Sequence, residues 1–223
     1  MKFSFIPKKF LKNIKNIKIF YSGKQNKTYI GDYQNIKVQI RVPNINNDFV
    51  NWKNEKEVIK CNSDFLYYKN GVFIKKWIEA STLKKINLNQ EIITKIFQEI
   101  ENFSLLPLTK IKKFDWKTKE INDLKYRKLV RKYKNDQLFV SHGDLRKKNI
   151  LFTNKNEIYL IDFEWTRLNN KYFDLVCLNL YLKISKKLII DYFKLDKQKF
   201  NDFAYMIKKF NNHWIKKHYN GKI

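Results

Sequence analysis

The chain has 223 residues, with 47 Lys+Arg against 21 Asp+Glu and a formal charge of +26. At 43% hydrophobic and 16% aromatic it is too apolar for a disordered segment, and five Gly with three Pro exclude collagen-like and linker-like chains. One compact unit of one or two lobes fits this length, with enough chain to bury a real core.

A balance this basic points first to an anionic partner such as nucleic acid, a membrane surface or a nucleotide. Its make-up argues otherwise. The cations are 42 Lys and only 5 Arg, beside 26 Asn and 27 Ile, all residues that A/T-rich codons encode. A nucleic-acid surface favours Arg for its bidentate fork. Arg41, Arg127, Arg131, Arg146 and Arg167 are scattered, with no zinc-finger spacing, interleaved aromatics or basic-zipper heptads. Nucleic acid is therefore not the expected partner, and most Lys is expected on solvated faces. Cys61 and Cys177 lie far apart without metal spacing, which fits a reducing compartment.

In chain order, residues 1–20 are basic, and Lys interrupts every apolar run. They read as neither a signal peptide nor a membrane span, so no membrane insertion and a cytoplasmic location are expected. Leu11, Ile14 and Ile17 recur at helical spacing and predict a short packed helix. Ile36, Val38, Ile40 and Val42 alternate along a strand, which puts Lys37, Gln39 and Arg41 on its other face. Tyr29 and Ile30 predict its hairpin partner, joined through residues 31–35. A helix is expected over residues 49–59. Residues 65–68 and 72–74 flank an Asn70–Gly71 turn signal and predict a second hairpin.

From Asn89 the period changes. Ile92, Ile93, Ile96, Phe97, Ile100 and Phe103 form one helical stripe with Asn89 as N-cap. Residues 110–136 are charged and ambiguous. Residues 150–152 and 158–161 are two short strands around a polar turn, and the chain from about Phe173 reads as helical. The picture is a small β-rich lobe followed by a larger helical lobe, dividing near residues 80–88.

The stretch with chemistry reads Ser-His-Gly-Asp-Leu-Arg-Lys-Lys-Asn-Ile-Leu over 141–151, followed by Leu-Ile-Asp-Phe-Glu-Trp over 160–165. An antiparallel hairpin brings its outer ends together. Asn149 stands just before the first strand and Asp162 just after the second, so both side chains belong at one mouth. Asp144 lies on the loop leading in. Two carboxylates and an amide carbonyl then converge, a set of oxygen ligands suited to Mg²⁺, with Asp144 spare to orient a hydroxyl and accept its proton. This is the equipment of phosphoryl transfer. His142 is expected to brace the loop, and His213 and His218 to lie at the surface.

H-G-D-x-x-x-x-N-I-L followed by I-D-F-E-[aromatic] resembles the choline kinase and aminoglycoside phosphotransferase superfamily, relatives of the protein kinases. The I-D-F-E-W form is most similar to the choline/ethanolamine kinase branch. The step Phe173, Asp174, Leu175 resembles the family's aromatic-Asp-Leu, whose Asp braces the catalytic loop. Residues 22–29 are similar to the family's phosphate-covering loop G-G-x-[ST]-N-x-x-[YF], with Gly23 and Asn26 retained and Ser22 and Gln25 as departures.

The resemblance further implies that Arg41 reaches the ATP phosphates and that Glu55 positions it, with Glu57 as a rival. It also implies that the backbone of Lys76 and Ile78 holds adenine. Asn51 and Trp52 replace the Asp and Arg that precede the family's glutamate. On the acceptor side, Glu164 and Trp165 match the family's acid and aromatic, and a family acid falls on Tyr181. Tyr205, Phe210 and Trp214 are candidates for its C-terminal aromatic pair.

The expectation is an α+β, two-lobed protein-kinase-like fold. Residues 1–80 would form a nucleotide-binding lobe and residues 81–223 a catalytic and acceptor-binding lobe. The expected reaction is ATP-dependent phosphorylation of a small cationic alcohol, choline first. Ethanolamine, thiamine or an aminoglycoside are same-fold alternatives, and a non-catalytic nucleotide-binding module is a different-class one. Asp144 would be the base, touching substrate, and Asn149 and Asp162 the Mg²⁺ ligands.

Overall fold

The computed structural model describes residues 6–23, 25–44, 52–108 and 110–219. A short helix α1 (Lys8–Leu11) leads into an antiparallel five-stranded sheet. Its strands are β1 (Ile14–Ser22), β2 (Asn26–Tyr33), β3 (Ile36–Pro43), β4 (Phe65–Lys69) and β5 (Val72–Lys76), in the order β1-β2-β3-β5-β4. Helix α2 (Trp52–Lys60) lies between β3 and β4 in sequence. Val38, Ile40 and Ile74 are fully buried and pack with Phe10, Ile14 and Tyr29 into one core. The alternation along β3 thus does what the sequence pattern asks.

Both hairpins use two-residue turns with positive φ at each central residue: Gln34 (48°) and Asn35 (66°), then Asn70 (47°) and Gly71 (81°). Such turns match the right-handed twist of the strands they join. The first turn is tighter than the span 31–35 suggests, because β2 continues through Tyr33, opposite Ile36.

The helix expected around Leu11, Ile14 and Ile17 is corrected by the structure. Only Lys8–Leu11 is helical, and Ile14 begins β1. The register against β2 slips between Lys15 and Lys18, around Asn16 at φ 54°. A bulge adds one residue, so inward side chains recur at a spacing of three, as in a helix. Gly31 lies opposite this irregular stretch. A Cβ there would stand 2.8 Å from Ile14 Cγ2 and 3.0 Å from the Lys15 carbonyl oxygen.

The second half has its own core. Strand β6 (Ala80–Thr82) leads through a 3-10 turn to helix α3 (Gln90–Ser104). Ile92, Ile96, Phe97, Ile100 and Phe103 face inward, and Asn89 Oδ1 caps α3 by accepting from the Ile92 N–H at 2.9 Å. The ambiguous charged stretch contains α4 (Leu124–Lys132), capped by Asp123. Then come β7 (Phe139–Ser141), β8 (Ile150–Thr153), β9 (Ile158–Leu160) and β10 (Arg167–Asn169). They form a three-stranded sheet β6-β8-β9 and a two-stranded sheet β10-β7. Helices α5 (Tyr172–Cys177), α6 (Lys186–Phe193) and α7 (Lys197–Tyr219) complete the lobe, with a π-helical turn Leu178–Leu182 directly after α5.

Helix α2 joins the two halves. Val58 belongs to the larger core, and Asn54 donates to the Thr166 carbonyl at 2.9 Å while accepting from the Lys112 N–H at 3.2 Å. The expected helix start at residues 49–51 lies outside the described residues.

Removing the α3 cap leaves the Ile92 N–H without its partner. Asn89→Ala is expected to lower stability by about 1 kcal/mol. In urea denaturation the midpoint should drop with an unchanged slope.

Candidate active site

Two clusters of polar side chains meet where the lobes join. The first is built on Arg41 of β3. Its Nη2 lies 2.6 Å from both oxygens of Glu55 on α2, and its Nε donates to the Gly71 carbonyl at 3.0 Å. Its Nη1 lies 3.2 Å from Glu164 Oε1 and 3.6 Å from Asp162 Oδ1. The guanidinium also stacks over Phe73, 4.4 Å from the ring centroid. Burial alone would weaken its hold on the proton, but Glu55, Glu164 and Asp162 outweigh that and keep its pKa above the ordinary value.

Glu55 is therefore the partner of Arg41. Its rival Glu57 is paired with Lys60 instead. Tyr68 adds a hydroxyl hydrogen bond to Glu55 Oε2 at 2.8 Å, a contact with no signal in the sequence pattern. Trp52, where the family pattern has Arg, lies 5.6 Å from the Arg41 guanidinium and accepts from the Tyr68 hydroxyl through its carbonyl.

The loop between β1 and β2 reaches the same cluster. Asn26 Nδ2 donates to Glu164 Oε1 at 2.8 Å, and the Gly23 N–H donates to the Asn26 carbonyl at 2.9 Å. Lys24 lies outside the described residues. Glu164 is fully buried here and does not line the aromatic cavity described below. The structure does not bring it to the acceptor side that the resemblance implies. It ties the β1–β2 loop to the segment after β9. Burial, reinforced by the Asp162 charge, pushes its carboxyl up to about 7.

The second cluster is the loop after β7. Gly143 takes φ 80°, and a Cβ on it would lie 2.4 Å from the Trp165 carbonyl oxygen, so only glycine fits. Asp174 of α5 holds the loop from behind. Its carboxylate accepts from the His142 N–H at 2.6 Å and the Gly143 N–H at 3.1 Å. His142 is fully buried and braces the loop. Its Nδ1 accepts from the Asp144 N–H at 3.3 Å, which fixes the proton on Nε2, and that N–H donates to the Ile161 carbonyl at 3.0 Å.

Asp144 is thereby presented at the cleft. Asn149 Nδ2 donates to Asp144 Oδ2 at 2.9 Å and to its carbonyl at 2.8 Å, and Arg146 Nε donates to Oδ1 at 2.7 Å. Arg146 is a site residue that pattern reading passed over, although its signal, a fork-bearing cation two positions after the Asp, is visible. The Ile161 N–H donates to the Asn149 carbonyl at 3.0 Å, which places Asn149 beside the strand end that Asp162 follows. Asp162 sits in the left-handed region (φ 70°, ψ 65°), a costly conformation for a non-glycine residue.

The oxygens of Asp162 and Asn149 are hard donors at one mouth, and the Nδ2 hydrogen bonds of Asn149 leave its amide oxygen turned away from Asp144. This donor set fits a magnesium ion that keeps several waters. No cluster of three or more His, Cys, Asp or Glu able to hold a metal occurs among the described residues.

A cavity of about 570 Å³ opens beside Asp144. Trp165, Tyr181, Phe210 and Trp214 line it, with Gln25 of the β1–β2 loop on one side. Trp165 and Trp214 meet edge to face at 5.0 Å, and Arg146 lies over the Tyr181 ring at 5.0 Å. Tyr181 comes from the π-helical turn, and its hydroxyl accepts from Asn211 Nδ2. Tyr205 is elsewhere, donating to Asp123. His213 pairs with Glu120, whereas His218, expected at the surface, lines the cavity and meets Trp214 at a tilt of 46° with centroids 3.9 Å apart.

Lys76 is exposed at the end of β5, opposite Val38, and its N–H donates to the Asp64 carbonyl at 2.9 Å. Ile78 follows in the segment between β5 and β6. Phe20 and Trp77 meet edge to face at 4.8 Å beside it, a pair that pattern reading did not connect.

No protein-family model matches the chain. An uncharacterized protein of Metamycoplasma hominis is 38% identical over 198 residues, which are 89% of this chain and 39% of that protein. The chain thus spans about two-fifths of the length of the relative it matches. Choline kinase LicA from Streptococcus pneumoniae superposes with a TM-score of 0.71 at 15% identity, covering 96% of this chain and 89% of that one. Plasmodium vivax ethanolamine kinase gives 0.58 at 15% identity, over 95% and 77%. A spectinomycin phosphotransferase in complex with ADP and spectinomycin gives 0.61 at 14% identity, over 92% and 85%. The chain has the two-lobed protein-kinase-like fold of these structures.

Because Glu164 holds its proton above the ordinary carboxylate range, the folded state binds an extra proton between about pH 4.5 and 7. Stability contributed there falls as pH rises through that window. Glu164→Gln removes the titration. Its stability relative to the parent is expected to improve by roughly 2–3 kcal/mol between pH 5 and 8 in urea denaturation. No change across that range would mean that Glu164 is already ionised.

Proposed function

We propose that the chain is an ATP-dependent small-molecule kinase that phosphorylates the hydroxyl of a small cationic alcohol, choline first among the candidates. The observation that carries this reading is the placement of Asp144. Its carboxylate is held by Asn149 and Arg146 at the edge of an aromatic-lined cavity. Asp144 accepts the acceptor's hydroxyl proton as the oxygen forms its bond to the γ-phosphorus. The bond from that phosphorus to the β–γ bridging oxygen breaks, and ADP leaves. Arg146, next to Asp144 Oδ1, compensates negative charge on the transferring group.

Residues 1–80 hold the nucleotide in this reading, and residues 81–223 supply catalysis and the acceptor site. Gly23 and Asn26 shape the loop over the phosphates, Arg41 steadies them with Glu55 behind it, and the backbone at Lys76 and Ile78 meets adenine. Asn149 and Asp162 would hold Mg²⁺, which supplies charge neutralisation between the phosphates. The faces of Trp165, Trp214 and Tyr181 suit an ammonium group by cation–π attraction. Among the described residues no helix is long and apolar enough to cross a membrane.

With Mg²⁺-ATP, turnover of choline is expected in a panel that includes ethanolamine, thiamine and an aminoglycoside. ATP binding without consumption across the panel would favour a non-catalytic nucleotide-binding module. Asp144→Ala is expected to lower kcat by about 10²–10⁴. Its thermal midpoint should stay within roughly 3 °C of the parent, since Asp144 lies at the cleft edge rather than in a core. Parent-like turnover by this variant would rule Asp144 out as the base.

A further inference from the structure

Arginine is scarce in this chain, 5 residues beside 42 Lys. Where Lys is the default cation, a retained Arg marks a place that uses the planar fork. Arg41 gives its fork to Glu55, Arg127 donates to the carbonyls of Thr118 and Ile121, and Arg146 donates to Asp144. Arg131 lies exposed, bonded to the Arg127 carbonyl. Arg167 is different. It is half-buried on β10 and lines the cavity beside Asp144. Its Nη1 donates to the Thr166 carbonyl at 2.7 Å and the Glu164 carbonyl at 3.4 Å. Its Nε–Nη2 edge donates to nothing among the described residues, and no carboxylate there lies within ion-pair distance.

The other cations of the cavity wall are compensated. Lys117 pairs with Asp115 and Glu120, Lys217 with Glu120, and Arg146 and Lys148 with Asp144. Burial, unopposed by any carboxylate, lowers the pKa of Arg167. A partly desolvated cation kept without a counter-ion is costly unless a ligand supplies one. The open edge offers two parallel N–H groups, the match for the two oxygens of one carboxylate.

We propose that the phosphoryl acceptor is an amino alcohol that also bears a carboxylate, a hydroxy amino acid or its N-methylated form, and that Arg167 binds this carboxylate through its Nε–Nη2 edge. The inference rests on the kinase reading and on this cavity being the acceptor site. In it, Trp165 and Trp214 face the ammonium group, Arg167 the carboxylate and Asp144 the hydroxyl. Choline fills the aromatic side and leaves Arg167 unpaired.

The test uses the full chain with Mg²⁺-ATP and acceptors paired so that only a carboxylate differs: ethanolamine with L-serine, and choline with N,N,N-trimethyl-L-serine. L-Homoserine is added for reach. The carboxylated member of at least one pair is expected to show kcat/KM about tenfold higher or more, the scale of one charge-assisted bidentate contact. Arg167→Lys keeps the charge and loses the fork. It should raise KM for the carboxylated acceptor about tenfold while KM for ATP moves less than about twofold. Choline and ethanolamine both matching or exceeding their carboxylated partners would overturn the proposal and leave the kinase reading standing. So would a rise confined to the KM for ATP, which would assign Arg167 to the phosphates. Failure of every acceptor of the set, and of the panel above, to support ATP consumption would overturn the kinase reading itself. Should Arg167→Lys fail to fold, the paired acceptors on the parent chain decide alone.

Discussion

A buried guanidinium is the fixed point of this structure. Arg41 lies in the middle of the five-stranded sheet yet meets carboxylates from α2 and from the segment after β9. A charge so placed is tolerable only when every donor finds an oxygen. That demand fixes the rest. α2 must lie close enough to give Glu55, the second hairpin must turn tightly enough to offer the Gly71 carbonyl, and the larger lobe must come near enough to bring Asp162 and Glu164. The joint between the lobes is an electrostatic lock as much as a packed interface. Burial first, and the neighbouring Asp162 charge second, make Glu164 keep its proton toward neutral pH.

The loop after β7 depends on a different arrangement, a backbone held from behind. Asp174 and His142 spend their hydrogen-bonding capacity on peptide groups, so both hold the backbone that carries Asp144. Rigidity on the buried side leaves the exposed side to Asp144, Asn149 and Arg146. The cavity beyond them takes its aromatic wall from two distant stretches, Trp165 after β9 and Trp214 on α7. It also takes Tyr181 from a π-helical turn, a local widening often found at functional sites.

Much of this was legible in the residues. The β3 alternation, the Asn70–Gly71 turn and the α3 stripe each carry a local period or turn preference that tertiary contacts leave untouched. The strand–turn–strand around residues 150–161 brings Asn149 next to the start of Asp162 by hydrogen-bond topology alone. The failures are equally physical. The bulge at Asn16 copies the spacing of a helix, so periodicity alone cannot separate the two. The buried position of Glu164 depends on how two lobes meet, and the pairing of Arg41 with Glu55 rather than its rival Glu57 depends on how α2 packs against β3; no local pattern encodes either. Tyr205 and Trp214 look alike along α7, and only the helix's orientation sends one to Asp123 and the other to the cavity. The surplus Lys that dominates the composition stays mostly on exposed surface, and the residue that stands out at the cavity is one of the few Arg.

Strand β6 sets the order in which the protein can be completed as it leaves the ribosome. Ala80–Thr82 pair with Leu151–Thr153, and Asn26 bonds Glu164 across 138 residues of chain. The amino-terminal sheet can pair its own strands early, since its hairpins are local. Arg41, however, lacks its last two carboxylates until residue 164 has emerged. The nascent sheet must therefore wait with a cation in its interior that only the later half can neutralise. The two halves are separate in architecture but coupled in biogenesis, with the first maturing only when the second arrives.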